Sequence, residues 1–209
     1  MVRGFAMAVV LLGAIQLPAR AATGAPTGPN VFRSEMARVE IQKPADWHFA
    51  KADSSLTNLP SVRLGDEEFL EVVKRMNKRP LMAATKHEDS YSGLNPSLQL
   101  IVRPAANMEG KSGLELLQLY IPRLKQAFTG FKVVKEPYAI TVAGRSGGRL
   151  DVAYTITSKD EKTMPGASTL ILVPNGKVVY QVGFSYPPEG PDKLTKEIDQ
   201  VLGSVKWLD

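Results

Sequence analysis

The chain has 209 residues and a formal charge of +5, with 26 Lys and Arg set against 21 Asp and Glu and no cysteine. Without a thiol there is no disulfide, no thiolate metal site, no cysteine nucleophile and no covalent lipid anchor of the lipoprotein type. The modest basic excess is spread along the chain, which argues against nucleic acid as a partner, because such binders gather their cations into a dense stripe.

Arg3 precedes an apolar run from Gly4 to Leu17, broken only by Gln16, and Ala19-Arg20-Ala21 comes directly after it. A short positive region, an apolar stretch well under the ~20 residues of a membrane span, and a small-x-small site are the parts of a cleavable signal peptide. Residues 1–21 are therefore expected to be removed on export to the periplasm or the outside of the cell. Residues 22–36, rich in Gly, Pro, Ala and Thr, are expected to be a flexible leader, and residues 37–209 one domain.

Ala37 to Gln42 alternates as a strand, and Lys43 to Trp47 is a turn. Residues 48–63 are polar and irregular. Asp66 to Met76 carries Phe69, Val72, Val73 and Met76 at i, i+3, i+4 and i+7, a helical stripe. Asp66, Glu67 and Glu68 open that helix, and Lys74, Arg75, Lys78 and Arg79 close it, matching its dipole at both ends. Strands are expected at Pro80–Lys86 and Ser97–Arg103, joined by a polar turn over 88–96.

Ser112-Gly113-Leu114-Glu115 is a capping box. The helix it opens places Leu114, Leu117, Ile121, Leu124 and Phe128 on one face. Pro122 removes a backbone hydrogen bond and should kink it, and Gly130 should end it. From Phe131 the period changes to two. One or two strands span Phe131–Val142 around Pro137, and Gly147-Gly148 begins another through Leu150, Val152, Tyr154 and Ile156. Ala167–Val173 and Lys177–Tyr186 flank Asn175-Gly176, which predicts a type I′ hairpin with Val178, Tyr180, Val182, Phe184 and Tyr186 inward. Pro191 opens a last helix with the stripe Leu194, Ile198, Val201 and Leu202, and Ser204–Leu208 closes the chain as a strand. Helices before and after a run of hairpin-linked strands imply an α+β fold: a central antiparallel sheet flanked by helices, an αβα sandwich.

The order of these pieces resembles the PsbP-like superfamily, which includes the extrinsic photosystem II protein, Ran-binding Mog-type proteins and bacterial DcrB-type envelope proteins. The residues that carry the resemblance are Ile41-x-x-Pro44-x-x-Trp47, the Leu114–Phe128 helix, Val142-x-Gly144-x-x-Gly147-Gly148 before a strand holding Tyr154, the hairpin into Phe184, and the final helix with Ser204 after it. The resemblance implies helices on both faces of an antiparallel sheet and a role in docking to, or supporting, a larger assembly.

The chemistry available is sparse. The two histidines, His48 and His87, are accompanied by no Gly-x-Ser-x-Gly elbow. His87, Glu88 and Asp89 are adjacent ligand types that alternate across a strand end, which favours a solvated strand end over a metal site. Gly144 to Gly148 lacks the Lys-Ser/Thr ending of a phosphate loop and leads into a strand, so it reads as a tight turn. Asp151 lies mid-strand and, if covered, needs a partner in Arg149 or Arg145. No catalytic, cofactor or metal residue is expected. The candidate interaction surface is Lys74, Arg75, Lys78 and Arg79, which could meet an anionic membrane surface or an acidic partner, together with Tyr91 on the 88–96 link.

The first functional reading is an exported, non-enzymatic accessory or binding protein that acts through its surface on a protein partner in an envelope or extracellular assembly. The alternative is a carrier of a small apolar or lipid ligand between sheet and helix. A hydrolase ranks third.

Overall fold

The computed structural model describes residues 25–26, 28–50, 67, 71, 80–88, 91, 93–157, 163–189 and 191–208. Among the described residues, eleven strands and two long helices follow in chain order: β1 (Ala25–Pro26), β2 (Val31–Ser34), β3 (Val39–Gln42), β4 (His48–Phe49), β5 (Met82–Thr85), β6 (Ser97–Pro104), α1 (Gly113–Ala127), β7 (Thr129–Val142), β8 (Arg145–Thr157), β9 (Thr163–Asn175), β10 (Val178–Tyr186), α2 (Pro191–Gly203) and β11 (Lys206–Trp207). A 3-10 turn, Ala106–Met108, precedes α1.

The large sheet has the order β4-β5-β6-β10-β9-β8-β7, and all its pairings are antiparallel. The expected antiparallel sheet with helices on its two faces is therefore present. A second sheet, β1-β2-β3-β11, accompanies it. The stretch 22–36, read as a flexible leader, supplies β2, which pairs with β3 from Val31↔Gln42 to Ser34↔Val39. The reason lies in Phe32, buried to 1% exposure against Ile41 and Trp47. A leader so rich in Gly and Pro hides one strand whose aromatic has a place in the core. The signal peptide expected over residues 1–21 falls outside the described residues.

Two cores sit on opposite faces of the large sheet. On one, β2, β3 and α2 bring Phe32, Ile41, Trp47 and Ile198 against Tyr180 and Phe184. On the other, α1 lays Leu116, Leu117, Tyr120 and Leu124 on Leu150, Val152, Tyr154 and Leu170. The inward set Val178, Tyr180, Val182 and Phe184 is buried as its alternation predicts, with Tyr186 packed at the margin. The alternate residues of β10 are buried as well, because this sheet is covered on both faces.

The capping box forms: Glu115 N–H donates to Ser112 Oγ at 3.2 Å, and the Ser112 N–H donates to Glu115 Oε2 at 2.8 Å. The buried stripe of α1 is rotated from the expected one. Leu116 and Tyr120 are buried, while Leu114, Ile121 and Phe128 are half-buried. The cause is Gly113, whose backbone presses on Gly148: a Cβ on Gly148 would lie 2.5 Å from the Gly113 carbonyl carbon. Gly147 and Gly148 are thus strand residues under a helix start, and the tight turn is Ala143-Gly144 alone, with φ of 48° and 82°.

Two further expectations are corrected. In the β9–β10 hairpin Asn175 pairs with Val178, so the loop is Gly176-Lys177. Only Gly176 has a positive φ, 56°, which gives the II′ arrangement rather than I′. Gly130 does not end α1, which stops at Ala127; it lies inside β7 with φ 65°.

Candidate functional site

β7 is the outermost strand of the large sheet, and its register with β8 slips three times: between Thr129 and Lys132, Val133 and Lys135, and Lys135 and Tyr138. At each slip β7 advances one residue more than β8, which is a β-bulge. The last one has a geometric consequence. Residues three apart on a regular strand point to opposite faces. Here Lys135 pairs with Asp151 and Tyr138 with Arg149, so both face the α2 side. The Lys135 ammonium then sits 3.9 Å from the centre of the Tyr138 ring.

Between this face of β7–β8 and the helix α2 runs an open groove of about 640 Å³, lined by Lys135, Tyr138, Ile140, Thr141, Ala143, Arg149, Asp151, Thr195, Asp199, Leu202 and Gly203. That volume is within the range of small-molecule and cofactor sites, roughly 300–1,000 Å³. Its floor is a fixed polar chain. Arg149 Nε lies 3.2 Å from both carboxylate oxygens of Asp151, and Arg149 Nη1 donates to Asp199 Oδ1 at 3.3 Å. Thr169 Oγ1 donates to Asp151 Oδ1 at 2.6 Å, which leaves the Tyr186 hydroxyl to donate to Thr169 Oγ1 at 3.2 Å. Burial lowers the Arg149 pKa, but Asp151, Tyr138 and Asp199 outweigh it and hold the guanidinium charged. Burial raises the Tyr186 pKa, keeping the phenol protonated as a donor. The expected partner of Asp151, Arg149, is the one found.

A second polar cluster lies under the opposite face. The Tyr154 hydroxyl is 2.7 Å from Ser168 Oγ and 3.3 Å from Ser185 Oγ, and the two serines are 2.9 Å apart. All three are buried. These hydroxyls hydrogen-bond one another between strands β8, β9 and β10, which is a structural role.

Of the sequence-derived surface only Tyr91 lies among the described residues. Glu67 and Glu71 are helical, as the stripe predicts, but Lys74, Arg75, Lys78 and Arg79 lie outside the described residues. Tyr91 is 40% exposed and stacks on His87, with ring centroids 4.1 Å apart and 15° between planes. Asn95 holds that loop by accepting from the His87 N–H at 3.0 Å and donating to the His87 carbonyl at 2.8 Å. This pair sits on the β5–β6 link, separated from the groove strand β8 within the sheet by β6, β10 and β9. Of the groove residues, sequence reasoning singled out Arg149 and Asp151 and missed Lys135, Tyr138 and Asp199. Pro137 and Glu136 in an otherwise alternating strand were the available sign of a bulge. Among the described residues no group of three or more His, Asp or Glu is placed to hold a metal ion, and no helix is long and apolar enough to cross a membrane.

No protein-family model matches the sequence, and no curated protein is significantly similar to it. Solved structures do match. Cyanobacterial PsbP (CyanoP) from Synechocystis aligns with a TM-score of 0.51 at 10% identity, over 88% of this chain and 96% of that one. LpqN, involved in cell envelope biogenesis of Mycobacterium tuberculosis, aligns at 0.48 and 14% identity, over 80% and 82%. The Ran-binding protein Mog1p of Saccharomyces cerevisiae aligns at 0.47 and 10%, over 82% and 91%. The chain has the PsbP-like fold that its motif order predicts. At these identities the likeness concerns fold, and function has to be argued from the site.

Proposed function

We propose that this PsbP-like domain is an exported accessory protein that docks a protein partner of a cell-envelope or extracellular assembly through the groove between β7 and α2. The observation that carries this reading is the state of Asp151. Its carboxylate is the one in the groove floor that could act as a base, and it is taken up by Arg149 and Thr169. A general base needs an accessible lone pair aimed at a substrate proton. A carboxylate held by a guanidinium and a hydroxyl is a positioning device, and what it positions is the wall of a binding groove.

The edge of β7 is a poorer docking element than its face. Three bulges and Pro137 break its outer half. At the other end the Trp207 indole N–H occupies the Val142 carbonyl at 3.0 Å. These features make β7 a poor template for an added strand, which favours the groove.

A photo-crosslinking phenylalanine analogue at Tyr138, whose ring lies in the groove, and another at Leu119, on the outer face of α1 and 48% exposed, test this in the native envelope. A discrete protein adduct from position 138 and none from 119 is expected. Equal adducts from both positions, or none from 138, would overturn the docking reading. The paired substitution His48→Ala with His87→Ala, outside the groove, should retain the biological activity of the protein. Its loss in a well-folded variant would point to an active site instead.

A further inference from the structure

The helix α2 has two working faces. Leu194, Ile198 and Val201 go into the core shared with Ile171 and Val173 of β9 and Tyr180 of β10. Thr195, Asp199, Leu202 and Gly203, at i, i+4, i+7 and i+8, line the groove instead. That spacing is the ridge a helix presents to another helix packed along its side. A Cβ on Gly203 would meet nothing within 4 Å, so the backbone there is open to a close neighbour. Beside this second face lies the surface of β8 and β7. Strands are about 4.8 Å apart and a helix with its side chains is about 10 Å across, so two strands offer the width of one more helix.

The charges open to a partner stand on the two walls. Arg149 is engaged within the floor, by Asp151 and by Asp199. Lys135 is exposed on the β7 wall, its ammonium 3.9 Å from the centre of the Tyr138 ring. Asp199 is on the α2 wall, its side chain 63% exposed, and Arg149 Nη1 engages only its Oδ1, at 3.3 Å. Between the walls Tyr138, Ile140 and Leu202 are half-buried. A cation on one flank, a carboxylate on the other and apolar side chains between them are the complement of an amphipathic segment with a charge of opposite sign on each side.

We propose that the occupant of the groove is an amphipathic α-helix of the protein partner, packed along α2 on the face of β7 and β8. Its apolar stripe covers Tyr138, Ile140 and Leu202. An acidic residue on one flank meets Lys135, and a basic residue on the other meets Asp199. The proposal rests on the docking reading of the groove and deepens it by naming what docks.

Short diazirine side chains at Lys135 and at Ile140, installed one at a time, measure the occupant in the native envelope. The two positions pair with Asp151 and Gly147, four residues apart on β8 and so about 13 Å apart. A helix covers that distance in about nine residues and an extended chain in about four. Mass spectrometry should place the two adducts on one partner segment, about nine residues apart. Asp199→Asn keeps an acceptor for Arg149 and removes the charge. That variant and Lys135→Gln should each lower the adduct yield from position 140 about threefold, the scale of one exposed ion pair. Adducts about four residues apart, adducts on unrelated segments or on a lipid, no adduct from either position, or yields unchanged in both charge variants would overturn the proposal. The adduct from Tyr138 is read independently of these spacings and yields, so failure of the helix is distinguishable from failure of the docking reading.

Discussion

The Trp207 indole N–H donates to the Val142 carbonyl at 3.0 Å, joining the last strand of the small sheet to the last residue of the edge strand of the large one. The same ring lies 4.8 Å from Tyr180 and beneath the Arg145 guanidinium at 4.5 Å. Tyr180 in turn donates through its hydroxyl to the Ala37 carbonyl at 2.7 Å. The two sheets are held together by this aromatic corner.

Trp207→Phe is expected to cost about 2 kcal/mol in urea unfolding. It keeps a ring against Tyr180 but leaves the Val142 carbonyl without its donor. Amide exchange at Ala143 and Gly144 should quicken with it, since the hairpin tip loses its tether. Unchanged exchange there would show that the corner does not hold the hairpin.

Gly113→Ala and Gly148→Ala should be the most damaging glycine substitutions, by about 3 kcal/mol each, because each new methyl meets facing backbone rather than a movable side chain. Gly144→Ala, at φ 82° with nothing within 4 Å, should cost only about 1 kcal/mol of backbone strain. Reversal of that order in thermal unfolding would refute the close helix–strand approach.

The β9–β10 turn separates the two hairpin geometries. Gly176→Ala should cost about 1 kcal/mol, since φ at Gly176 is 56°. Asn175→Ala should stay within about 0.5 kcal/mol, because Asn175 is an ordinary paired strand residue. A large cost at Asn175 would restore the I′ arrangement.

Stability should fall steeply in alkali. Burial raises the pKa of Tyr120, Tyr154 and Tyr186 in the folded chain. Above the ordinary tyrosine value of about 10 the unfolded chain releases these protons while the folded chain retains them. Their contribution is present in full below that pH and is lost as the pH rises through the folded values. Tyr154→Phe should flatten the alkaline limb of the stability curve while Ser168 and Ser185 keep each other, 2.9 Å apart. An alkaline limb unchanged in all three Tyr→Phe variants would place the titrating groups elsewhere.

The residues that declare themselves in sequence are those whose partners are near in the chain. The Ser112–Glu115 box, the β10 alternation and the α2 stripe each depend on a period or a spacing that a short window contains. The pairing of Arg149 with Asp151, two residues apart on one strand face, was legible for the same reason. What only the tertiary structure decided involves distant partners. Phe32 became core because Ile41 and Trp47 received it, and its strand was hidden in a Gly- and Pro-rich stretch. Gly113 and Gly148 are glycines because a helix start meets a strand 35 residues later. The groove exists because bulges in β7 turn Lys135 and Tyr138 onto the face that α2 leaves partly uncovered. A bulge shifts the alternation by one residue and leaves no change of composition behind, so its effect on which face a side chain occupies is set by the neighbouring strand.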